Sequence, residues 1–475
     1  MKNNFAKTKI LATLGPATDS KEKLKQLVDA GLDAVRLNFS HGNYEYFENL
    51  LNTIDEVSNK KSEPLTTLID LQGPKIRIGE LEKSEIEIYS GDMIEITDEM
   101  VLGNNKKVHC SYHQIISDAS LGDQILIDDG LIRLEVARKK DYSLECKIVE
   151  GGTLRPKKGM NLPGMNLSTP AITEKDYENL EFALKHRIDY IALSFVRSPK
   201  DITELRNWLL QRGKSIPIIA KIEKPEAVNN FEKILEVSDG IMVARGDLGV
   251  ELQPYQVPLV QKRIINQCNV FGKLVITATQ MLESMISNPV PTRAEASDVA
   301  NAVFDGTDVV MLSGETSVGK NPIAAVTMMN KILMETEKHI PKKACHHFMI
   351  PQNLADNIFD STGKAISCIA DQINASLIVV FTHQGRKARV LSKFRPTAPI
   401  IAFSDNFETL TRVNLHWGTR SFFQEEIDDE EAAIEEATKT LKEKELVKKG
   451  DVVLFTAGAP YTDKGRKTWL RFLVM

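Results

Sequence analysis

The sequence predicts an α/β fold: a (β/α)8 barrel interrupted by a small all-β lid domain and followed by a separate α/β domain. Two observations carry this expectation. Eight short apolar runs alternate with helical stretches, the rhythm of a closed parallel barrel. After the third run that rhythm gives way to short alternating strands and later resumes, which marks an insertion.

Taken in order, strands are expected at Thr8 to Leu14, Ala34 to Asn38 and Leu65 to Ile69, with amphipathic helices at Lys21 to Ala30 and Tyr44 to Val57 between them. From Ile76 to Lys158 the runs shorten, as at Ile86 to Tyr89 and Ile125 to Ile127, and Asp129-Gly130 signals a hairpin. Past Leu162-Pro163-Gly164, five more strands complete the eight: Tyr190 to Phe195, Ile216 to Ala220, Gly240 to Ala244, Leu274 to Thr277 and Val309 to Leu312. Beyond Ile340-Pro341, a helix at Leu354 to Asp371 and strands at Leu377 to Phe381, Ile400 to Phe403 and Val452 to Phe455 read as the C-terminal α/β domain. The acidic run Glu425 to Glu436 reads as a solvated helix start, acids being favourable at a helix N-terminus. The expected division is therefore 1–72 and 164–342 for the barrel, 73–163 for the lid and 343–475 for the C-terminal domain.

The 475 residues are 42% hydrophobic and 26% charged, the balance of a globular protein with a substantial core. With 60 Lys and Arg against 65 Asp and Glu, the net charge of -5 gives no global attraction to nucleic acid. No apolar run approaches the ~20 residues of a membrane helix, so no membrane partner is expected. The N-terminus enters Ile10-Leu11-Ala12 without the longer apolar region of a secretory signal. Five scattered cysteines without CxxC spacing read as reduced thiols, so the expected location is cytoplasmic.

Polar residues collect at the C-terminal ends of the expected strands, the rim where barrels carry their chemistry: Arg36, Asn38 and Ser40, then Asp70, Lys221 and Glu223, Asp247, Thr279, and finally Ser313 and Glu315. Glu223 and Asp247 are two carboxylates suited to Mg²⁺, with substrate oxygens and water completing the octahedron. Beside them, Lys221 brings a compact positive charge to a phosphoryl group in transfer; alone it would read as an ordinary salt-bridged lysine. Gly246 lets backbone amides approach an anion at the following helix, or is a plain strand-to-helix turn. Arg36 and Arg77 can grip phosphate in bidentate fashion, or are surface arginines. The Thr279 hydroxyl has no neighbouring base in sequence, which favours proton relay over covalent catalysis. His41 shows no metal-ligand spacing.

These residues sit in runs that resemble the pyruvate kinase family: Arg36-Leu37-Asn38-Phe39-Ser40-His41-Gly42, Gly73-Pro74-Lys75-Ile76-Arg77, Lys158 to Gly164, Ala220-Lys221-Ile222-Glu223, Ala244 to Gly249, Thr277 to Met285, Pro291 to Glu295 and Met311 to Thr316. They occur in family order and are dense in the barrel. The resemblance implies phosphoryl transfer from phosphoenolpyruvate to ADP, giving pyruvate and ATP in glycolysis. Glu223 and Asp247 would hold Mg²⁺, for which Mn²⁺ can substitute, and Lys221 would stabilise the transferred group. It implies Arg36 on the substrate phosphate, Gly246 and Asp247 amides on its carboxylate, and Thr279 near its methylene carbon with Ser313 and Glu315 in the relay. Asn38, His41, Arg77 and Lys158 would lie near the nucleotide. A homotetramer with a regulatory C-terminal domain is implied as well.

Two departures from the family pattern stand out. Potassium-dependent members resemble D-T-K-G-P-E-I-R, whereas this chain reads Asp70-Leu71-Gln72-Gly73-Pro74-Lys75-Ile76-Arg77. Either the Lys75 ammonium replaces the monovalent cation and K⁺ is not required, or Lys75 points to solvent and K⁺ binds through Asn38, Ser40, Asp70 and the Leu71 carbonyl. Where sugar-bisphosphate-regulated members carry a hydroxyl-rich loop, this chain has Thr382-His383-Gln384-Gly385-Arg386-Lys387. Thr382, Gly385, Arg386 and Lys387 keep a phosphorylated allosteric effector in play without naming it. The rival readings are a different barrel enzyme acting on an enolate and a catalytically idle sensor of phosphorylated metabolites.

Overall fold

The computed structural model describes residues 5–40, 42–59, 63–165, 167–340, 354–457 and 469–475. Eight parallel strands close a barrel: β1 (Lys9–Thr13), β2 (Ala34–Asn38), β3 (Thr66–Asp70), β4 (Tyr190–Leu193), β5 (Ile218–Ile222), β6 (Gly240–Ala244), β7 (Leu274–Ala278) and β8 (Val309–Leu312). Each pairs with its neighbours in chain order, and β1 pairs with β8 to complete the ring. All eight keep within about two residues of the expected positions. The largest shift of a whole strand is instructive: β5 begins two residues later than expected because Pro217 has no amide hydrogen to give a ladder, so Lys221 lies within the strand.

The barrel strands are buried on both faces, as parallel barrel strands must be. Leu11, Leu68, Met242, Ile276 and Met311 fill the interior, while Ile10, Ala12, Val35 and Ile69 face the surrounding helices. Helix starts are set by local chemistry. Thr173 with Asp176 and Thr292 with Glu295 form reciprocal capping boxes for the helices Glu174–Ala183 and Arg293–Asp305.

Between β3 and β4 the chain forms a six-stranded sheet, ordered Met160–Asn161, Gln124–Ile127, Ile132–Lys139, Leu144–Glu150, Met93–Thr97 and Lys107–His109, beside a two-strand ladder of Ile86–Ile88 with Gly152–Leu154. The hairpin expected at Asp129-Gly130 is present, with Asp128, Asp129 and Gly130 all at positive φ (55°, 55° and 86°). A single bridge between Arg77 and Gly159 joins the two chain crossings into this sheet.

The C-terminal sheet has five strands: β9 (Leu377–Phe381), β10 (Ile400–Ser404), β11 (Thr419–Phe423), β12 (Val452–Ala457) and β13 (Trp469–Val474), ordered β11-β10-β9-β12-β13 with the last antiparallel. Strands β11 and β13 were not expected; Thr419-Arg420-Ser421 has no apolar periodicity, and β13 is an exposed edge. The acidic helix runs Glu430–Glu443 and is capped by Asp429, so Glu425 and Glu426 precede it. One expectation is corrected here. Cys110, Cys146 and Cys268 are buried free thiols, but Cys368 is disulfide-bonded, because spacing along the chain does not report proximity in space.

The C-terminal unit closes the barrel floor. Leu415 enters the interior cluster, Tyr190 OH donates to the Arg412 carbonyl at 2.9 Å, and Thr411 Oγ1 donates to buried Asp189 at 2.6 Å. Asn414 Nδ2 bridges the Asp33 and Pro64 carbonyls at 3.2 and 3.0 Å. Among the described residues no helix is long and apolar enough to cross a membrane.

His416 sits at this floor with its pKa pushed down to about 3, first by burial and then by Arg389, Arg395 and Lys9. The native state therefore resists a proton that the unfolded chain accepts below about 6.5, so stability is lost as pH falls from there. The slope is at most about 1.4 kcal/mol per pH unit from this group. We expect the melting temperature to fall between pH 7 and pH 5, and to fall less in His416→Gln; equal slopes by calorimetry would remove His416 from the account.

Candidate active site

At the C-terminal mouth of the barrel, four consecutive strands bring one charge cluster together. Asp70 ends β3 with 1% of its surface exposed. Its Oδ2 accepts Arg36 Nε from β2 at 2.7 Å, and its Oδ1 lies 3.2 Å from Lys221 Nζ of β5. Ser194, just past β4, bridges them: it accepts from Lys221 Nζ at 2.7 Å and donates to the Leu71 carbonyl at 2.7 Å. Lys221 Nζ also meets Glu223 Oε1 at 2.9 Å, and Glu223 Oε2 accepts the Phe195 amide at 2.8 Å. Arg36 is braced from the other side by Thr13 Oγ1 at 2.9 Å.

The electrostatics follow from this geometry. Burial alone would raise the Asp70 pKa, but Lys221 and Arg36 outweigh it and hold the carboxyl below its usual range. Burial likewise opposes charge on Lys221, yet Asp70 and Glu223 hold its pKa above the ordinary lysine value. Glu223 is shifted upward by burial, against the pull of Lys221, and the like charge of Asp247 adds to that shift. A buried carboxylate raised in this way by its neighbour's charge is what a divalent cation would relieve.

The other side of the same mouth holds the expected relay residues. Thr279 is left-handed (φ 69°), as is Gln280 (φ 54°), a rare conformation for a β-branched residue and one that clusters at functional sites. Arg245 braces this strain by donating from Nη2 to the Thr279 carbonyl at 2.7 Å, with Asp298 holding its Nη1. Thr279 Oγ1 donates to Ala278 O and accepts the Gly246 amide, both at 2.7 Å. The Gly246 amide is therefore shared with Thr279. Glu315 is fully buried, and both oxygens accept amides, from Leu282 at 3.0 Å and Ser313 at 2.7 Å. That geometry makes Glu315 a positioning residue for two rim loops, with Ser313 held at the end of β8.

Near β2 and β3, Lys75 Nζ lies 3.4 Å from Ser40 Oγ, and the Ser40 amide donates to Asn38 Oδ1 at 3.1 Å. The Lys75 pKa is lowered by enclosure first, then by Lys221 and Arg77, while Asp247 and Asp70 pull it the other way. Lys75 itself is exposed, and its side-chain hydrogen bond is the long one to Ser40. Arg77 lines a cleft of about 230 Å³ between lid and barrel, together with Lys75, Asp129, Lys224, Asp247 and Glu251, and its Nη1 donates to Lys157 O at 3.0 Å. Lys158 instead pairs with Asp128 of the lid hairpin at 2.8 Å. His41 lies outside the described residues.

In the C-terminal unit, Gly385 (φ 74°) leads into the helix Arg386–Lys393, and its amide donates to Thr382 Oγ1 at 3.0 Å. Lys387 is corrected from a loop cation: it is 3% exposed and donates to the Ala457 carbonyl, with its pKa pushed down to about 8 by burial. Arg386 lies over the Phe359 ring at 3.9 Å.

Sequence reasoning missed Thr13, Ser194 and Arg245. The first two end β1 and β4, the only barrel strands to which it assigned no site residue. The rule that every strand end faces the same rim was the signal that could have found them.

A closed barrel whose mouth gathers Arg36, Lys221 and paired carboxylates beside a cleft under an inserted sheet has the build of a phosphotransferase. The comparisons agree in detail. The family model "Pyruvate kinase, barrel domain" matches residues 5–326, and "Pyruvate kinase, alpha/beta domain" matches 360–471. A pyruvate kinase of Bacillus licheniformis is 43% identical over 95% of this chain and 78% of its own length. One from Geobacillus stearothermophilus is 42% identical over 99% of this chain and 80% of its own. The crystal structure of a pyruvate kinase from Cryptosporidium parvum superposes with a TM-score of 0.92 at 38% identity, covering 98% of this chain and 96% of that one. The chain belongs to the pyruvate kinase family, and its reaction is the glycolytic conversion of phosphoenolpyruvate to pyruvate with ADP as phosphoryl acceptor.

Removing Asp70 leaves Lys221 and Arg36 buried without their counter-charge. We expect Asp70→Ala to lower unfolding stability by about 3–5 kcal/mol in denaturant titration. A loss below about 1 kcal/mol, the range of a surface pair, would show that the cluster is solvated.

Proposed function

We propose that this pyruvate kinase is Mg²⁺-dependent and K⁺-independent, with Lys75 in place of the monovalent cation. The observation that carries the reading is the placement of Lys75, whose ammonium approaches Ser40 and answers electrostatically to Lys221, Asp70 and Asp247. Lys75 is exposed, so the alternative in which it points to solvent and K⁺ binds beside Ser40 is the other outcome of the test below. Glu223 and Asp247 fit Mg²⁺ or Mn²⁺ as a hard oxygen pair that leaves positions for substrate oxygens. Among the described residues no larger metal-binding cluster competes with them. When bound, the ion neutralises phosphoryl charge.

The chain's own residues do the rest in this reading. Arg36 has two of its donors fixed by Asp70 and Thr13, so the fork is pre-aimed at a phosphate. Lys221, held by Asp70, Ser194 and Glu223, keeps its charge where the phosphoryl group passes. The Asp247 amide, with the Gly246 amide shared by Thr279, takes the substrate carboxylate. The strained Thr279 hydroxyl, already hydrogen-bonded on two sides, passes a proton to the enol carbon through water, with Ser313 beside it and Glu315 holding the loops. Asn38, His41, Arg77 and, once its pairing with Asp128 opens, Lys158 face the nucleotide as residues 73–163 close as a lid. Residues 343–475 are the regulatory domain, with Thr382, Gly385 and Arg386 as its effector loop. The assembly is a cytoplasmic homotetramer, by analogy with the family.

The test is pyruvate formation from phosphoenolpyruvate, ADP and Mg²⁺ in potassium-free buffer, against the same buffer with KCl at matched ionic strength. Equal rates are expected; turnover that appears only with KCl would keep the enzyme and discard Lys75. Lys75→Glu combined with Leu71→Thr should acquire a KCl requirement. Lys221→Met should lose turnover on the order of 10²–10³-fold, the scale of one preorganised charge-stabilising donor.

A further inference from the structure

The Lys224–Glu251 ion pair has no part in the chemistry described above. Lys224 directly follows Glu223, and Glu251 closes the short helix Arg245–Glu251 that carries Asp247. Their side chains meet at 3.0 Å and are 7% and 2% exposed. So enclosed a pair locks the two carboxylate-bearing elements together, since separating it would strand a buried charge.

The third member comes from the lid. Asn161 Nδ2 donates to the same Glu251 Oε1 at 3.1 Å. Asn161 lies on the edge strand Met160–Asn161, which pairs with Ile127 and Leu126 of the lid hairpin. The tip of that hairpin approaches the same helix: a Cβ built on Gly130 would stand 4.0 Å from Val250. Glu251 Oε2 is buried with no hydrogen-bond partner among the described residues, so Oε1 alone carries both contacts. All three side chains line the cleft.

We propose that Glu251, held by Lys224, is the seat on which the lid closes, with Asn161 as the docking group. Lid position and the placement of Glu223 and Asp247 are then set by one shared oxygen. The two contacts differ in kind: the ion pair is enclosed and permanent, whereas the Asn161 bond is a single, half-exposed hydrogen bond that can break and re-form in each cycle. All three are positioning residues for the nucleotide side of the cleft, an inference that rests on the function proposed above.

The experiment uses the full chain and Asn161→Ala, which leaves the ion pair intact. Expected are a KM for ADP raised about tenfold, as for a lost hydrogen bond to a charged acceptor, and kcat and the KM for phosphoenolpyruvate within about twofold. Amide hydrogen exchange should rise in 124–139 and 245–251. Asn161→Asp, which sets like charges face to face, should raise both readouts further. Unchanged ADP KM and unchanged exchange in Asn161→Ala would overturn the seat, as would a kcat loss at constant KM. Should the wild-type chain show no turnover, the functional reading fails first; exchange in Asn161→Ala still decides whether the contact holds the lid.

Discussion

The arrangement of the barrel mouth depends on a buried carboxylate, Asp70. At 1% exposure it is ionised only because Arg36 and Lys221 stand against its two oxygens. The barrel makes this affordable in geometry: β2, β3 and β5 supply the three charges, and Ser194 at the end of β4 fills the gap between them. Once Asp70 is fixed, Lys221 cannot leave without stranding it. Lys221 in turn fixes Glu223, whose second oxygen is taken by the amide of left-handed Phe195. A phosphoryl group arriving here meets charges whose positions were settled on folding, so little reorganisation is needed at the moment of transfer.

The opposite end of the same strands is just as firmly held. Asp189, immediately before β4, accepts from Thr411 and from the Thr67 amide, and Leu415 enters the barrel interior from below. Strands β3 and β4 are thus anchored by the C-terminal unit at their starts and carry Asp70 and Ser194 at their ends. A shift of the segment Thr411–Leu415 would be felt along rigid strands about five residues long. Thr409 Oγ1 donates to the His383 carbonyl in the loop before Gly385, which puts that loop one helix away from the barrel floor. That chain of contacts connects the loop physically to the starts of β3 and β4.

How much of this was legible in the sequence varied with the kind of signal. The eight barrel strands were visible because burial on both faces leaves unbroken apolar runs, and the Asp129-Gly130 turn because it needs positive φ. The mixed-polarity strand β11 was hidden because its partners, and not its own periodicity, hold it in the sheet. At the site, charged residues at strand ends were legible, since charge at a buried rim demands a reason. Ser194 and Thr13 were not, because a hydroxyl is unremarkable until its partners are known. For Glu315 the family resemblance implied a place in the relay; its two amide donors add that it holds two rim loops, which no motif announces. Lys387 looked like a loop cation, yet amphipathic helix geometry turned it inward to Ala457.

The count of charges at the mouth gives the Lys75 proposal its physical weight. Asp70, Glu223 and Asp247 bring three negative charges, and Arg36, Lys221 and Lys75 bring three positive ones. A glutamate at position 75, as in the potassium-dependent pattern, would shift that balance by two units toward negative, just where a phosphorylated substrate must bind. A monovalent cation would recover one of those units and would also occupy the space beside Ser40. Lysine recovers both, on a stem tethered to the chain, and on the proposed reading no ion would need to be captured from solution before the substrate binds. The Leu71 side chain agrees with this: it is 1% exposed and apolar where the other pattern has a threonine hydroxyl, so only its carbonyl is left to bind a cation, and that carbonyl already accepts Ser194. Under the proposal the two departures belong together, one removing a ligand and the other removing the need for it.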